Sequence, residues 1–142
     1  HLLLQRFLRP TARIEFGAAI ARIASAAIDV SDGLFADARK LLDASGAGGF
    51  MDLECVPLSD ARRSVFGEEQ ARRFALTGGD DYELCFTAAP GTANAVRDAF
   101  EEAFGLPLTR VGRVETGEGC VVVNGEGEPV KASGWQHWGR TS

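Results

Sequence analysis

The sequence has few of the residues that form disulfide frameworks or zinc sites. Only three cysteines occur among 142 residues, and Cys55, Cys85 and Cys120 are isolated from one another, without CxxC spacing. An odd number of separated cysteines is typical of a reducing cytosol, so we expect buried thiols and a cytoplasmic location. The two histidines, His1 and His137, are too few to supply the imidazoles of a zinc site.

The chain also lacks an excess of basic residues and a long apolar run. Its 15 Lys and Arg residues against 20 Asp and Glu residues give a net charge of −5, which argues against nucleic-acid binding, since that needs clustered Lys and Arg. No apolar run approaches the length of a membrane span. We therefore expect neither nucleic acid nor a membrane among its partners.

Several nucleotide-binding and hydrolase signatures are missing as well. The GxxxxGK[ST] pattern of the P-loop does not occur, and residues 46–49 (GAGG) follow a predicted helix without GxGxxG spacing. There is no GxSxG elbow and no kinase catalytic-loop pattern. Any nucleotide chemistry in this chain must therefore use carboxylates and metal rather than a phosphate-cradling loop.

The residues that are present suffice for one domain, because 45% of them are apolar. Helices and strands intermix without strict alternation, and we expect the last strands to pair locally. This pattern predicts an α+β fold, with a mixed β-sheet packed with helices. Helices are predicted at residues 13–24, 33–44, 68–76 and 93–104, with a short one starting at 57–60, and strands at 26–30, 50–56, 82–87, 108–115 and 120–123, followed by a hairpin turn at 124–125.

Residues 29–34 (DVSDGL) form the first acidic motif, where an apolar strand ends and a helix begins. Ser31 or Asp32 could cap the first turn of that helix, whose free N–H groups favour negative charge. Alternatively, Asp29 and Asp32 could hold a hard cation by their oxygens, and a cation at a helix N-terminus suits phosphates. The local pattern by itself favours the cap, because caps are common and metal sites are not.

Residues 77–84 (TGGDDYEL) form the second acidic motif. Paired glycines allow a positive φ or the close approach of a ligand, and three carboxylates in four residues repel unless a cation, a donor or water separates them. The alternative is a Gly-Gly turn with a solvated acidic face. Near the C-terminal end, Trp135 and Trp138 either pack in the tail or present flat faces to a planar ring.

Five segments occur in an order that resembles a known family: 8–11 (LRPT), 29–34, 57–59 (PLS), 78–84 and 134–138 (GWQHW). The set is similar to the C-terminal half of the thiamine-monophosphate kinase family, whose fold is similar to that of aminoimidazole ribonucleotide synthetase. The resemblance implies transfer of the γ-phosphoryl group of ATP to thiamine monophosphate, giving thiamine diphosphate. It also implies Mg²⁺ as cofactor and direct in-line transfer.

The resemblance implies roles for individual residues. Asp29 and Asp32 would be magnesium ligands, and Ser31 would contact ATP. Asp80 would lie at the phosphate of thiamine monophosphate, and Trp135 would pack against its ring system. The family usually has Glu where Asp80 stands and often Tyr where Trp135 stands. No residue is assigned a catalytic role, because phosphoryl transfer needs alignment and charge neutralisation rather than a protein nucleophile.

The resemblance covers essentially the whole chain and implies an organisation for it. Residues 1–142 would form a single C-terminal domain of a longer two-domain enzyme, with residues 1–10 as a helix end and interdomain linker. The N-terminal, ATP-binding half would be a partner, the intact enzyme would be a homodimer, and this part alone would be inactive. Two alternatives remain open: a cyclo-ligase or hydrogenase-maturation protein of the same superfamily, or a non-enzymatic module that binds a phosphorylated ligand.

Overall fold

The computed structural model describes residues 13–78 and 83–131, in which helices alternate irregularly with short strands. A 3₁₀ turn, Leu53–Cys55, follows the second strand. The helices and strands, in chain order, are α1 (Ile14–Ile20), β1 (Ala24–Asp29), α2 (Leu34–Ala44), β2 (Gly48–Asp52), α3 (Asp60–Phe66), α4 (Glu68–Thr77), β3 (Leu84–Ala88), α5 (Thr92–Phe104), β4 (Gly112–Glu115), β5 (Gly119–Val123) and β6 (Pro129–Val130).

The strands form two sheets. In the smaller sheet β1 pairs antiparallel with β3, so that Asp29 lies opposite Leu84. The larger sheet has the order β4-β2-β5-β6, with β2 antiparallel to β4 and parallel to β5, and β6 antiparallel to β5. Helices accompany a sheet that contains both parallel and antiparallel pairs, so the predicted α+β fold with a mixed sheet is confirmed.

The expected local pairing of the last strands holds only for β5 and β6. They form a hairpin in which the Asn124 N–H donates to the Glu128 carbonyl (2.9 Å) and the Gly127 N–H donates to the Asn124 carbonyl (2.9 Å). The same expectation is wrong for β4 and β5, because β2 lies between them. This arrangement buries Met51 of β2 beside Val122 of β5. A direct pairing of β4 with β5 would not bring these two apolar side chains together.

The boundaries of α2 agree with the helix predicted at residues 33–44. The helix buries Ala38, Leu41 and Leu42 and exposes its opposite face. It ends in a Schellman motif at Gly46 (φ +62°), where the Gly46 N–H donates to the Asp43 carbonyl (3.2 Å) and the Ala47 N–H donates to the Leu42 carbonyl (3.0 Å). Because α2 follows the first acidic motif directly, this packing fixes the position of that motif.

Other observed boundaries differ from the predicted ones, because the same residues take part in a different hydrogen-bonding pattern. The helix predicted at residues 13–24 ends at Ile20, because Ala24–Asp29 pairs with β3 as a strand. The strand predicted at 50–56 begins at Gly48 and ends at Asp52, because the Asp52 carboxylate accepts the Glu54 N–H (2.9 Å) and starts the 3₁₀ turn. The strand predicted at 108–115 is limited to Gly112–Glu115.

Two apolar clusters hold the fold together. The first, between α2, α4 and the larger sheet, consists of Ala38, Met51, Val56, Ala75, Leu76 and Val122. The second, between α1 and α5, is built on Phe16, Ile20 and Leu108. The Phe16 ring meets the rings of Phe100 and Phe104 edge-on, at centroid distances of 5.7 and 5.4 Å. The first cluster includes residues of α2 and α4, the helices next to the acidic motifs, and the second packs against Leu84 and Phe86 of β3.

The cysteines differ in environment. Cys55 is exposed, so the expectation of a buried thiol is wrong there; it lies in the 3₁₀ turn between β2 and α3. Cys85 and Cys120 are partly buried, and burial raises the pKa of Cys85 to about 11. In the part of the chain that the structure describes, no helix is long and apolar enough to cross a membrane.

Candidate functional site

The two acidic motifs, far apart in sequence, meet at one end of the smaller sheet. β1 ends at Asp29 and β3 begins at Leu84, and these two residues are paired. One step further on, the Val30 N–H donates to the Glu83 carbonyl oxygen at 2.8 Å. Antiparallel pairing therefore places the end of the second motif beside the start of the first.

Gly33 makes a second contact between the motifs. Its φ of +117° lies in a region that L side chains rarely adopt, and a Cβ there would lie 3.0 Å from the Thr77 carbonyl carbon and 3.1 Å from the Leu76 carbonyl oxygen. The start of α2 thus packs directly on the backbone at the end of α4. Only glycine meets both requirements, so the glycine of the first motif is needed for the junction itself.

The predicted cap at Ser31 or Asp32 is wrong. The N-cap of α2 is Gly33, which has no side chain to donate or accept. Instead, the Oδ2 atom of Asp37, in the first turns of the helix, accepts the N–H groups of both Ser31 and Asp32 at 2.8 Å each. These two N–H groups precede the helix, so Asp37 does not cap its first turn but holds the two residues that lead into α2.

Lys40 completes this polar network, which we call the junction network: Ser31, Asp32, Asp37 and Lys40. The Lys40 Nζ atom donates to Asp37 Oδ1 (2.8 Å) and also pairs with the Asp32 carboxylate. Burial by itself would raise the pKa of Asp37, but hydrogen bonds from Lys40 and from the Asp32 and Ser31 N–H groups outweigh it and hold that pKa below its usual range. Hydrogen bonds to Asp32 and Asp37 in turn raise the pKa of Lys40.

Of the two predicted magnesium ligands, Asp32 belongs to this network and Asp29 precedes it in the chain. Asp29 is exposed at the end of β1, Ser31 is half-buried, and the Asp32 side chain is 29% exposed. Within residues 13–78 and 83–131, no group of three or more His, Cys, Asp or Glu side chains could hold a metal ion. Two carboxylates fit Mg²⁺ nonetheless, since Mg²⁺ in nucleotide sites is commonly bound by one or two carboxylates together with phosphates and water.

The two predicted substrate-binding residues, Asp80 and Trp135, lie outside the described residues. The residues that flank the Asp80 segment are placed. The Gly78 N–H donates to the Phe74 carbonyl (2.7 Å), and Glu83 receives two bonds from Arg13, from Nη2 at 2.8 Å and from Nε at 3.2 Å. The Arg13–Glu83 pair ties the start of α1 to the end of the second motif.

Sequence reasoning missed Asp37, Lys40 and Arg13. Asp37 and Lys40 have the i, i+3 spacing of an ordinary surface ion pair on a helix, and this spacing does not reveal that Asp37 is buried. Arg13 and Glu83 meet only because β1 and β3 pair, and no local pattern contains that information. The missed residues therefore lie outside the motifs, where Asp37 binds motif backbone and Arg13 and Lys40 bind motif carboxylates.

Comparison with known proteins identifies relatives. A family model described as AIR synthase related protein, C-terminal domain, matches residues 4–124. Thiamine-monophosphate kinase of Salmonella typhimurium is 45% identical over 131 residues, which are 92% of this chain and 40% of that protein. The enzyme of the same name from Escherichia coli K12 is 40% identical over 138 residues, which are 96% of this chain and 42% of that protein.

Solved structures give the same result. The crystal structure of thiamine-monophosphate kinase from Stenotrophomonas maltophilia K279a matches with a TM-score of 0.80 and 44% identity, over 89% of this chain and 39% of that chain. A structure of AaThiL complexed with AMPPCP and TMP matches with a TM-score of 0.74 and 38% identity, over 96% of this chain and 41% of that chain.

The chain spans about two fifths of the length of the curated relatives it matches. The expected resemblance to the thiamine-monophosphate kinases is confirmed, as is the expected likeness to the aminoimidazole ribonucleotide synthetase fold. Because the family model covers most of its residues, the chain belongs to the AIR synthase related protein, C-terminal domain family.

Proposed function

We propose that the chain is the C-terminal domain of a thiamine-monophosphate kinase, which transfers the γ-phosphoryl group of ATP to thiamine monophosphate. The observation that carries the proposal is the 45% identity to an enzyme of that name over 92% of this chain. The likeness to AaThiL complexed with AMPPCP, an ATP analogue, and TMP supports ATP and thiamine monophosphate as the two substrates. The product is thiamine diphosphate.

In this proposal the junction between β1 and α2 binds the metal and the nucleotide. Asp29 and Asp32 hold Mg²⁺ by carboxylate oxygens, and Ser31 contacts ATP. When bound, Mg²⁺ supplies the positive charge that lets phosphate groups approach carboxylates. The N-terminal end of α2, which carries a partial positive charge, faces the same junction and favours negative ligands there.

The second motif and the tail bind the acceptor in this proposal. Asp80 lies at the phosphate of thiamine monophosphate, and Trp135 packs on its ring system, where the cationic thiazolium adds a cation–π attraction to stacking. The contact between Gly33 and the end of α4 supports this arrangement, because it brings the start of the second motif to the junction. The two substrates would then meet with their phosphates between the motifs.

The chemistry requires no covalent intermediate on the protein. Phosphoryl transfer depends on the alignment of donor and acceptor and on neutralisation of charge, so direct in-line transfer accounts for it. Because the chain spans about two fifths of its relatives, we propose that the remaining metal ligands and most ATP contacts belong to an N-terminal half. The intact protein would be a cytoplasmic homodimer, and this chain alone would be inactive.

The experiment that tests the proposal measures thiamine diphosphate formed from ATP and thiamine monophosphate by the intact protein with Mg²⁺. A thermal-shift series with each ligand accompanies it, because a ligand at 100 times its Kd stabilises the folded state by about 2.7 kcal/mol. Product formation together with stabilisation by both substrates is expected. Stabilisation by ATP without product would indicate another reaction of this superfamily, and stabilisation by neither would indicate a binding module for a different ligand.

A further inference from the structure

We infer that Asp37 is a positioning residue that holds Ser31 and Asp32 in the geometry needed to bind a metal–nucleotide complex, an inference that rests on the proposed function. Asp37 is the one buried charged or polar residue in the described part of the chain, and it is only 1% exposed. A buried carboxylate is costly to the fold unless it is paired and hydrogen-bonded, and a well-packed apolar residue there would avoid that cost. The presence of Asp37 is explained by the two residues it holds, Ser31 and Asp32.

Asp37 divides its two oxygens between two tasks. Oδ2 accepts the consecutive N–H groups of Ser31 and Asp32, each at 2.8 Å, so two peptide planes converge on one atom. Two such bonds restrict the backbone dihedral angles of Ser31 and Asp32 and hence the direction of both side chains. Oδ1 faces the other way and accepts from Lys40 Nζ at 2.8 Å.

Lys40 supplies the charge that pairs with the Asp37 carboxylate. Its side chain is 52% exposed, so the ammonium group reaches Asp37 from the solvent side of α2. The same ammonium group pairs with the Asp32 carboxylate, so one cation contacts both the positioning residue and a proposed metal ligand. No buried polar side-chain atom in the described residues lacks a partner, and both oxygens of Asp37 are hydrogen-bonded.

Substitution of Asp37 by asparagine tests whether both oxygens of the carboxylate are needed as acceptors. An amide has one accepting oxygen and one donating nitrogen, so one orientation places donors against Lys40 and the other places them against the two backbone N–H groups. Asp37→Asn is therefore expected to disturb the network in either orientation. In the double variant Asp37→Asn/Lys40→Met the oxygen can accept both N–H groups without a facing ammonium, so the backbone geometry is restored.

The test measures Mn²⁺ binding to the intact protein in the presence of AMPPCP, by electron paramagnetic resonance, together with the melting temperature of each variant. Loss of a residue that orients metal ligands is expected to weaken Mn²⁺ binding by about 10–100-fold. Asp37→Leu, which fills the buried space without an acceptor, and Asp37→Asn should both show this loss. The double variant should recover most of the affinity, and its gain over Asp37→Asn should exceed the gain from Lys40→Met alone, the control that also removes the ammonium group paired with Asp32. Asp43→Asn, on the exposed face of the same helix, is the matched control and should bind Mn²⁺ as the unmodified protein does.

A merely structural role gives a different result. If Asp37→Leu and Asp37→Asn melt at lower temperature but bind Mn²⁺ like the unmodified protein, Asp37 only stabilises the start of α2 and the inference is wrong. If Asp37→Leu does not fold, the comparison of Asp37→Asn with the double variant decides, since equal Mn²⁺ affinities would overturn the inference. A protein with intact Asp37 that binds no Mn²⁺ with AMPPCP would overturn the proposed function as well.

Discussion

Two regions beside the smaller sheet are built by opposite means. In one region, α1 and α5 pack phenylalanine rings around Phe16, together with Leu84 and Phe86 of β3. In the other region, the junction network holds a buried carboxylate, an ammonium group and two backbone N–H groups. Apolar packing stabilises a fold, whereas a buried charge is often no more stabilising than a well-packed apolar residue in its place. We therefore expect the first region to serve stability, and under the proposed function the second serves ligand binding.

Truncation in the apolar region around Phe16 should have the largest effect on stability. Phe16 is 8% exposed and contacts two other rings, so Phe16→Ala is expected to lower the free energy of unfolding of the intact protein by about 3–5 kcal/mol. Chemical denaturation checks this value. Phe74, which is 38% exposed, is the matched control, and Phe74→Ala should cost clearly less. Equal losses of unfolding free energy in the two variants would contradict the claim that the Phe16 cluster contributes more to stability than a partly exposed ring.

Substitution at the junction glycine should have the next largest effect. Gly33→Ala combines an unfavourable φ with a Cβ 3.0 Å from the Thr77 backbone, so a loss of about 1–3 kcal/mol from the dihedral strain alone is expected. Gly46→Ala is the control, because its φ is also positive but its Cβ would meet nothing within 4 Å. Denaturation should therefore rank Gly33→Ala as the more harmful. The opposite ranking would mean that the Thr77 backbone moves away from a Cβ at position 33 at little cost in stability.

The stability of the protein should fall as the pH rises from about 9 to 11. Burial raises the pKa of Cys85 to about 11, so the folded thiol keeps its proton in a range where the unfolded thiol loses it. The stabilisation is complete below the unfolded pKa and is lost as the pH rises to the folded pKa, by up to about 2 kcal/mol. Cys85→Ala should flatten this slope in denaturation curves, and Cys55→Ala, at an exposed thiol whose pKa is also raised, should flatten it clearly less. Equal slopes in both variants would contradict the assignment.

The smallest expected effect is on the binding of thiamine monophosphate, the phosphoryl acceptor of the proposed reaction. Trp135→Ala in the intact protein is expected to weaken thiamine monophosphate binding by about 1–2 kcal/mol, a typical scale for an aromatic contact with a cationic ring. ATP affinity should change little. Calorimetric titration with thiamine monophosphate and with a neutral deaza analogue separates the two contributions. Equal losses for both ligands would rule out the cation–π part, and no loss would make Trp135 a packing residue.

What the sequence predicts, and what it does not, follows from the range of the interactions. The α2 helix and its glycine C-terminus are local features, and both agree with prediction. The position of β2 between β4 and β5 depends on Met51 and Val122 being buried together, a non-local event. The sequence singles out Ser31 and Asp32 of the junction network but not Asp37 and Lys40, because the burial of Asp37 is not visible in a spacing that suits any surface ion pair.

The most direct test of the central claim is a paired measurement on Asp29→Asn in the intact protein. Asp29 is exposed, so the melting temperature should stay at the unmodified value. The rate of thiamine diphosphate formation should fall by about 100-fold or more, the scale for losing one group that supports transition-state charge. Asp43→Asn, at the far end of α2, is the control that should change neither. A variant that keeps full activity and melts at lower temperature would contradict the account, because Asp29 would then serve the fold rather than the ligand.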